Sequence, residues 1–480
     1  MRASWKVILL VLVVSITSAS LSRAIQVTPR RLSLEDAVRL AIKHNSDLRT
    51  ARLEVDKSDA RVAEAWGYTM PSVDLSGQYM RFIDKPTTYF PDIIMYPLFS
   101  LIDTTFKQKP RGGFVPISMV PSYAASTTLM VRQILFNGAV FVGVGAASTY
   151  SQLARDLYYA RQVETVNKVR KAYYGALLAR EALDLVRSSL QNAEENLKNV
   201  QLMRRQGIVS EYDELRASVG VENLRPIVIQ NETNYGLALD NLRTTVGLQS
   251  PEDVELTGAL TFEAVGDSLL AQAPVALVES NPNLRIVRRQ IDLNHALINA
   301  ERTNYLPTIA AFGSYSYSVS KDRFNFSTND FFKSSQVGLS ISLNLFQGFQ
   351  TSSRVEQAQL EQRKSEEQKI NLERTLRMGL HSILGNLKQA QKRIEAQQRT
   401  AETAQRGYKI VTSRFLINAA TQLEVNDAQL ALNQAKVNRM QAIYDYLVAS
   451  ADLDQVLGRL PQYAIDDNES NQPYLEGSDE

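Results

Sequence analysis

YTMPSVDLSGQY at Tyr68–Tyr79 and YLPTIAAFGSYSY at Tyr305–Tyr317 are one passage written twice, and in both a proline separates two periodicities. Upstream, from Leu48 to Trp66, charged, small and apolar residues fall at helical spacing. Downstream, Val73, Leu75, Gly77 and Tyr79 alternate with Ser72, Asp74, Ser76 and Gln78. Proline does not continue a helix, and a change of period from about 3.6 to two marks a helix giving way to a strand with one apolar face. The second passage repeats the pattern, with Ile309, Ala311, Gly313, Tyr315 and Tyr317 opposite Ser314, Ser316 and Ser318. A returning strand follows, with Val337, Leu339, Ile341, Leu343 and Leu345 on one face and Gly338, Ser340, Ser342 and Asn344 on the other.

Working outward, the repetition covers the chain. A shift of 236 superimposes Asn45 on Asn281, Leu48 on Leu284, Arg49 on Arg285, Ala60 on Ala296, Pro71 on Pro307, Gly77 on Gly313 and Tyr79 on Tyr315. A shift of 210 lays LFNG, ending at Gly138, on LFQG, ending at Gly348. A shift of 211 then lays Ala217 on Ala428, Leu242 on Leu453 and Gly247 on Gly458. The offset falls by about 26 between Tyr79 and Leu135, so the extra length of the first copy sits in one surface connection, where insertions are tolerated. That connection, from about Ile83 to Pro121, holds Pro86, Pro91, Pro97, Pro110, Pro116 and Pro121, a density that predicts no regular element. The matching loop of the second copy, near Val319 to Ser334, is short and polar.

After each LF(N/Q)G comes a very long proline-free stretch of helical pattern, each able to reach roughly 100 Å. In the second, Leu376, Leu380, Ile383, Leu384 and Leu387 form a narrow seam suited to coiled-coil packing. Ser33 or Ser46 can cap short helices nearer the N-terminus. The resulting layout is a signal peptide at 1–24 and a first structural repeat at 25–248, with strands about 72–82 and 123–136 and helices about 139–206 and 211–246. A second repeat at 249–460 has strands about 308–319 and 335–346 and helices about 349–417 and 421–457. An acidic tail at 461–480 closes the chain, read as flexible or as a packing belt around the helices.

Composition narrows the function. Arg2 and Lys6 precede an apolar run from Val7 to Val14 and then small residues, the order of an export signal cleaved after Ala24 or Ala19. The run falls short of the roughly 20 residues of a spanning helix, which disfavours an uncleaved anchor. Among 480 residues there is no cysteine, so neither disulfides nor thiolate metal sites arise. A net charge of +2 gives no general attraction to nucleic acid. His44, His295 and His381 stand alone, and no nucleophile, phosphate or dinucleotide motif occurs, so neither an enzyme nor a cofactor is expected.

Strands of about 10 residues with one apolar face suit both a tilted bilayer crossing and a soluble sandwich. Four strands cannot cross alone, because an open sheet in lipid leaves backbone groups unsatisfied along both edges; three chains would supply 12. At this point the chain resembles the TolC-family outer-membrane efflux proteins over essentially its whole mature length. The passages that carry the resemblance are YTMPSVDLSGQY, YLPTIAAFGSYSY, LFNG, LFQG and the proline-free helices. The resemblance implies a membrane α/β-barrel: a trimer forming a 12-stranded outer-membrane β-barrel continued by a long periplasmic α-helical barrel. It also implies export of small toxic compounds or secreted proteins, with a periplasmic adaptor and an inner-membrane RND pump or ABC exporter. The competing reading is a secreted coiled-coil scaffold or periplasmic adaptor without channel activity, against which the duplicated strand hairpins speak.

The helices reverse at RRQGIVSEYDEL and at SRFLINAATQLEVNDAQ. Gly207 suits a left-handed helix end and Ser210 a helix start, with Asn418 and Thr421 at the matching places. Such turns reverse the chain in any event. The resemblance adds that tips of this kind receive the adaptor, through Gly207, Ile208, Val209, Ser210, Asn418, Ala419, Ala420 and Thr421. Glu424 and Asp427, at i and i+3, share a helix face, either as a solvated helix start or, by resemblance to the family's acidic segment, as rings around the periplasmic entrance. Asp213 matches Glu424 in the first copy, and the resemblance makes it a candidate for inter-helix links that hold the entrance closed. The chain departs here from the family's best-known pattern, with Phe415 and Ala420 where the resemblance would place a tyrosine and an arginine partner; Arg204, Arg205 or Arg414 are the possible substitutes.

Overall fold

The computed structural model describes residues 30–102, 112–248, 254–417 and 419–464. The signal segment and residues 465–480 of the tail lie outside the described residues, as does Asn418. Two compact units result, and they do not follow the repeats: residues 56–153 and 289–367 make one, and the flanking segments, 154–288 and 368–480 among them, make the other. Each unit therefore draws on both copies.

The first of these units is built on a sheet of four antiparallel strands: β2 (Ser72–Arg81), β5 (Tyr123–Phe136), β7 (Thr308–Lys321) and β8 (Phe332–Ser342), in that spatial order. The two hairpins join through β5 and β7, which run in register from Tyr123↔Lys321 to Ile134↔Ala310, with a bulge before Phe136. Strand β8 starts earlier and stops earlier than the alternation suggests. Its last pair is Thr308↔Ser342; Pro307, without an N–H, ends the partner strand, so Leu343–Phe346 run past the end of β7. Every residue of β2 is exposed, and on β8 Val337 is 90% and Ile341 70% exposed. Tyr79, Tyr123, Phe324 and Phe326 cluster where the strands end, with Phe324 centred 6.0 Å from Tyr79 and 5.6 Å from Tyr123.

The proline-dense connection is not irregular as read from the sequence. It folds as β3 (Thr88–Pro91), a helix α3 (Asp92–Ile102) and β4 (Phe114–Ile117), with β3 and β4 paired. A two-stranded ribbon leaves alternate N–H groups pointing outward, and Pro116, opposite Tyr89, and Pro91, two residues on, fall in one alternate set. Pro97 costs α3 a single backbone bond.

The other unit is helical, and the repeat explains its joints. Short helix α1 (Leu34–His44) is followed by α2 (Ser46–Gly67), and α6 (Asp267–Ser280) by α7 (Pro282–Arg302). Asn45, rather than Ser46, caps α2: its Oδ1 accepts from the N–H groups of Asp47 and Leu48, and its Nδ2 donates 2.9 Å to the Thr245 carbonyl. Asn281 repeats this, accepting from Leu284 N–H and donating 2.7 Å to Val456. Thr245 and Val456 belong to the returning helices α5 (Glu211–Val246) and α9 (Gln422–Val456). These helices end beside Gly247 and Gly458, both at positive φ (85° and 66°). There a Cβ would meet the His44 carbonyl oxygen at 2.7 Å and the Ser280 oxygen at 2.6 Å, so only glycine fits.

Around these joints lies the main core, in which Val38, Leu242, Leu277, Leu453 and Tyr173 are nearly inaccessible. Tyr173 belongs to the long helix α4 (Gly138–Arg205), and the seam residues Leu380 and Leu387 to its counterpart α8 (Gln350–Leu416). A short parallel pair, β1 (Arg30–Leu32) and β6 (Val254–Leu256), closes one side. The start of the acidic tail is not free: Ala464 is 1% exposed and Tyr463 packs on the core, because these two residues are apolar while the acids follow them. No described helix is long and apolar enough to cross a membrane.

Candidate functional site

At the tip of the first hairpin, α4 ends in a closed Schellman turn. Gly207, at φ 76°, donates 2.8 Å to the Arg204 carbonyl, and Ile208 N–H donates 2.9 Å to Met203. Helix α5 begins with a capping box. The Ser210 hydroxyl accepts from Asp213 N–H at 3.2 Å, while an Asp213 carboxylate oxygen accepts from Ser210 N–H at 3.1 Å. Asp213 thus closes its own helix start. Arg204 reaches across the turn to Glu214, with a second contact of 3.5 Å to Glu211. The Arg204 guanidinium holds the Glu214 carboxyl below the usual glutamate range.

The second tip repeats the design. Ala419 N–H donates 2.8 Å to the Arg414 carbonyl, and the Arg414 guanidinium donates 2.9 Å back to Ala419 oxygen. Thr421 caps α9, and Glu424 takes the position Asp213 holds in the first copy: its Oε2 accepts from Thr421 N–H at 2.6 Å and from the hydroxyl at 3.2 Å. The Thr421 backbone N–H, then its hydroxyl, hold the Glu424 carboxyl below its ordinary value. Asp427 stands exposed one turn further on. Arg204 and Arg414, two of the possible latch substitutes, are therefore engaged within their own hairpins.

Between the hairpins sits what the sequence reading missed. Val200, Ala217, Phe415 and Val425 form a small apolar plug separate from the main core, flanked by Leu197, Tyr408, Val209 and Ala420. Phe415 is 3% exposed. Away from the tip the contact turns polar but uncharged: a cleft of about 250 Å³ is lined by Asn192, Asn196, Asn223, Gln422, Gln429 and Asn433 among others. Gln429 donates to Asn433 at 2.9 Å, and Ser189 donates to the same Asn433 oxygen. Of the tip residues, Gly207, Ile208, Ser210, Ala419 and Thr421 are exposed, whereas Val209 and Ala420 are half-buried against the plug. Exposed apolar side chains continue along α5 at Tyr212, Leu215 and Val219, one helical face that a single chain leaves in water.

A four-stranded sheet with apolar strands and two long antiparallel helical hairpins are the elements of an outer-membrane channel protein. The model of the outer membrane efflux protein family matches residues 37–248 and 273–459, and the chain belongs to that family. It is 24% identical over 358 residues to the alkaline protease secretion protein AprF of Pseudomonas aeruginosa, covering 73% of each chain. It is 23% identical over 360 residues to the outer membrane protein TolC of Escherichia coli, covering 73% of this chain and 72% of TolC. The crystal structure of the Campylobacter jejuni CmeC outer membrane channel superimposes with a TM-score of 0.70 at 15% identity, over 91% of this chain and 88% of CmeC. The protein is an outer-membrane exit duct of the TolC family, with a periplasmic extension.

Proposed function

We propose that three copies of this chain close edge to edge into one duct, with a 12-stranded barrel in the membrane and a helical tube below it. The observation that carries this is the pair of open edges: among the described residues, β2 and β8 each pair on one side only. In hydrocarbon, unpaired backbone groups cost several kcal/mol each, and joining β8 of one copy to β2 of the next removes them all. The exposed stripe Tyr212, Leu215 and Val219 supplies apolar surface for the same assembly.

The duct works passively, without catalysis, and takes cargo from a periplasmic adaptor and an inner-membrane RND pump or ABC exporter. The name of AprF points to secreted proteins, and export of small toxic compounds uses the same tube. The adaptor meets the tips through Gly207, Ile208 and Ala419, and Val209 and Ala420 support that surface from the plug side. Glu424 and Asp427, repeated three times, ring the entrance with carboxylates that favour and bind cations. Purified protein should cross-link as a trimer and carry small, cation-selective currents in planar bilayers. A monomer that never conducts, at any concentration, would overturn the proposal.

A further inference from the structure

Helix α3 lies in the long connection between β2 and β5, within the segment that makes the first copy longer than the second. Its exposed apolar residues are Ile93, Ile94, Pro97, Leu98, Leu101 and Ile102, with Leu101 82% and Ile102 78% accessible. Advancing about 100° per residue, these six fill one continuous arc of roughly half the helix circumference. Met95, Tyr96 and Phe99 lie on the opposite arc, which is the buried or half-buried side, and the helix packs on the ribbon of β3 and β4. Ser100, exposed at the edge of this arc, donates its hydroxyl 2.7 Å to the Pro97 carbonyl, and no other side chain of the arc carries a donor, an acceptor or a charge.

That arc decides the occupant. Protein interfaces have polar rims and about one hydrogen bond per 100–200 Å², and this face offers only the Ser100 hydroxyl, whose proton is already given to the Pro97 carbonyl within the helix. Nor is it a spanning element: 11 residues reach only about 16 Å, the length of an interfacial or re-entrant segment. Its position fits the same partner. The aromatic cluster of Tyr79, Tyr123, Phe324 and Phe326 at the strand ends has the composition of the girdles that mark a barrel's bilayer boundary. The insert leaves the sheet at that level, and Ile83, two residues past β2, is 89% exposed.

We infer that α3 folds over the rim of the barrel and seats its apolar arc among the acyl chains of the outer leaflet, an anchor that only the first repeat supplies. The inference rests on the membrane placement of the sheet proposed above. Because the chain has no cysteine, single-site labelling is clean. Leu101→Cys and Ile94→Cys, each carrying an environment-sensitive fluorophore, are reconstituted in phosphatidylcholine vesicles with and without doxyl-labelled lipid. Val337→Cys serves as the reference on the sheet face and Thr328→Cys as the reference on the short polar loop. The α3 probes should be quenched at least about half as strongly as the Val337 probe, with Thr328 unquenched, as for a helix buried at the headgroup–acyl boundary. Quenching of α3 at the Thr328 level while Val337 is quenched overturns the anchor but spares the barrel; disulfide cross-linking of Leu101→Cys between copies would then identify the occupant as a second protomer. Loss of quenching at Val337 as well overturns the barrel reading and the anchor with it.

Discussion

Replacing Phe415 by alanine should loosen the entrance without unfolding the protein. Phe415 is the largest side chain of the tip plug, whose four buried members are separate from the core around Tyr173. In a full core, Phe→Ala costs about 3–5 kcal/mol through lost transfer energy and the residual cavity. The plug is small and ringed by half-buried side chains that can settle inward, so the low end applies, about 3 kcal/mol, or roughly a 100-fold shift in the equilibrium that holds the hairpins together. The neighbouring cleft is lined by carboxamides, whose hydrogen bonds exchange for water at a net cost of only about 1 kcal/mol each. The effect should therefore stay local. Native-state hydrogen exchange should show amides around Val200, Ala217 and Val425 losing protection while those around Tyr173 keep it, and bilayer conductance should rise. Phe415→Leu, close in volume, should stay near wild type, and Phe415→Tyr should fall between, since its hydroxyl has to find a partner or remain unsatisfied. Unchanged exchange at the tip in Phe415→Ala, together with unchanged conductance, would refute the plug as the element that holds the entrance.

Glu424→Gln is the informative test of the proposed carboxylate ring, because Gln at this position preserves a capping box whereas Ala removes the cap together with the charge. With Asp427→Asn it should raise conductance and abolish block by multivalent cations; persistence of block in the double variant would remove these residues from the gate. The pH dependence has a definite sign. Hydrogen bonds from Thr421 depress the folded-state value of Glu424 below the ordinary 4.5, so its stabilising contribution is full above that value and lost only as pH falls through the depressed one. Cation block in the wild type should accordingly survive below pH 4.5. At the joints, Gly247→Ala and Gly458→Ala add a Cβ against backbone oxygen at 2.7 and 2.6 Å, while Gly207→Ala, also at positive φ, has nothing within 4 Å. Hydrogen exchange should show losses of roughly 2–4 kcal/mol at the two joints against about 1–2 kcal/mol at Gly207; equal losses at all three would show that the close approach is not what selects glycine.

What the sequence discloses is whatever repeats or alternates. The proline between helix and strand, the offset that places Asn45 on Asn281 and Gly247 on Gly458, and the uninterrupted helices all follow from period and spacing, which local sterics fix. The alternation on β8 carried on past its end because pairing needs a partner strand, and Pro307 denies one. The ribbon and α3 were hidden because their prolines fall where a ribbon and a short helix tolerate them, a matter of which N–H groups point inward. Phe415 read as the absence of a tyrosine. Its burial depends on Val200 and Ala217, some 200 positions earlier in the chain, and no local pattern reports such a contact.

The tip shows why the two copies are not exchangeable. Under the offset of 211, Phe415 and Val425 match Arg204 and Glu214. Both pairs bridge a helix reversal of the same construction, a closed turn followed by a capping box, so the backbone has been kept while the chemistry across the turn has changed. In the first hairpin the pair is an ion pair, with Arg204 exposed to water; in the second it is the heart of the apolar plug. An exposed ion pair is worth at most about 1 kcal/mol and weakens with salt, whereas the plug draws on burial that salt does not screen. The hold between the hairpins should therefore be insensitive to ionic strength, while current past the proposed ring of Glu424 and Asp427 should depend on it. Salt titration of conductance in wild type and in Phe415→Ala separates the two: the ratio of variant to wild-type conductance should stay constant above one at every salt concentration, and a ratio that falls towards one at low salt would mean that charge, not the plug, holds the entrance.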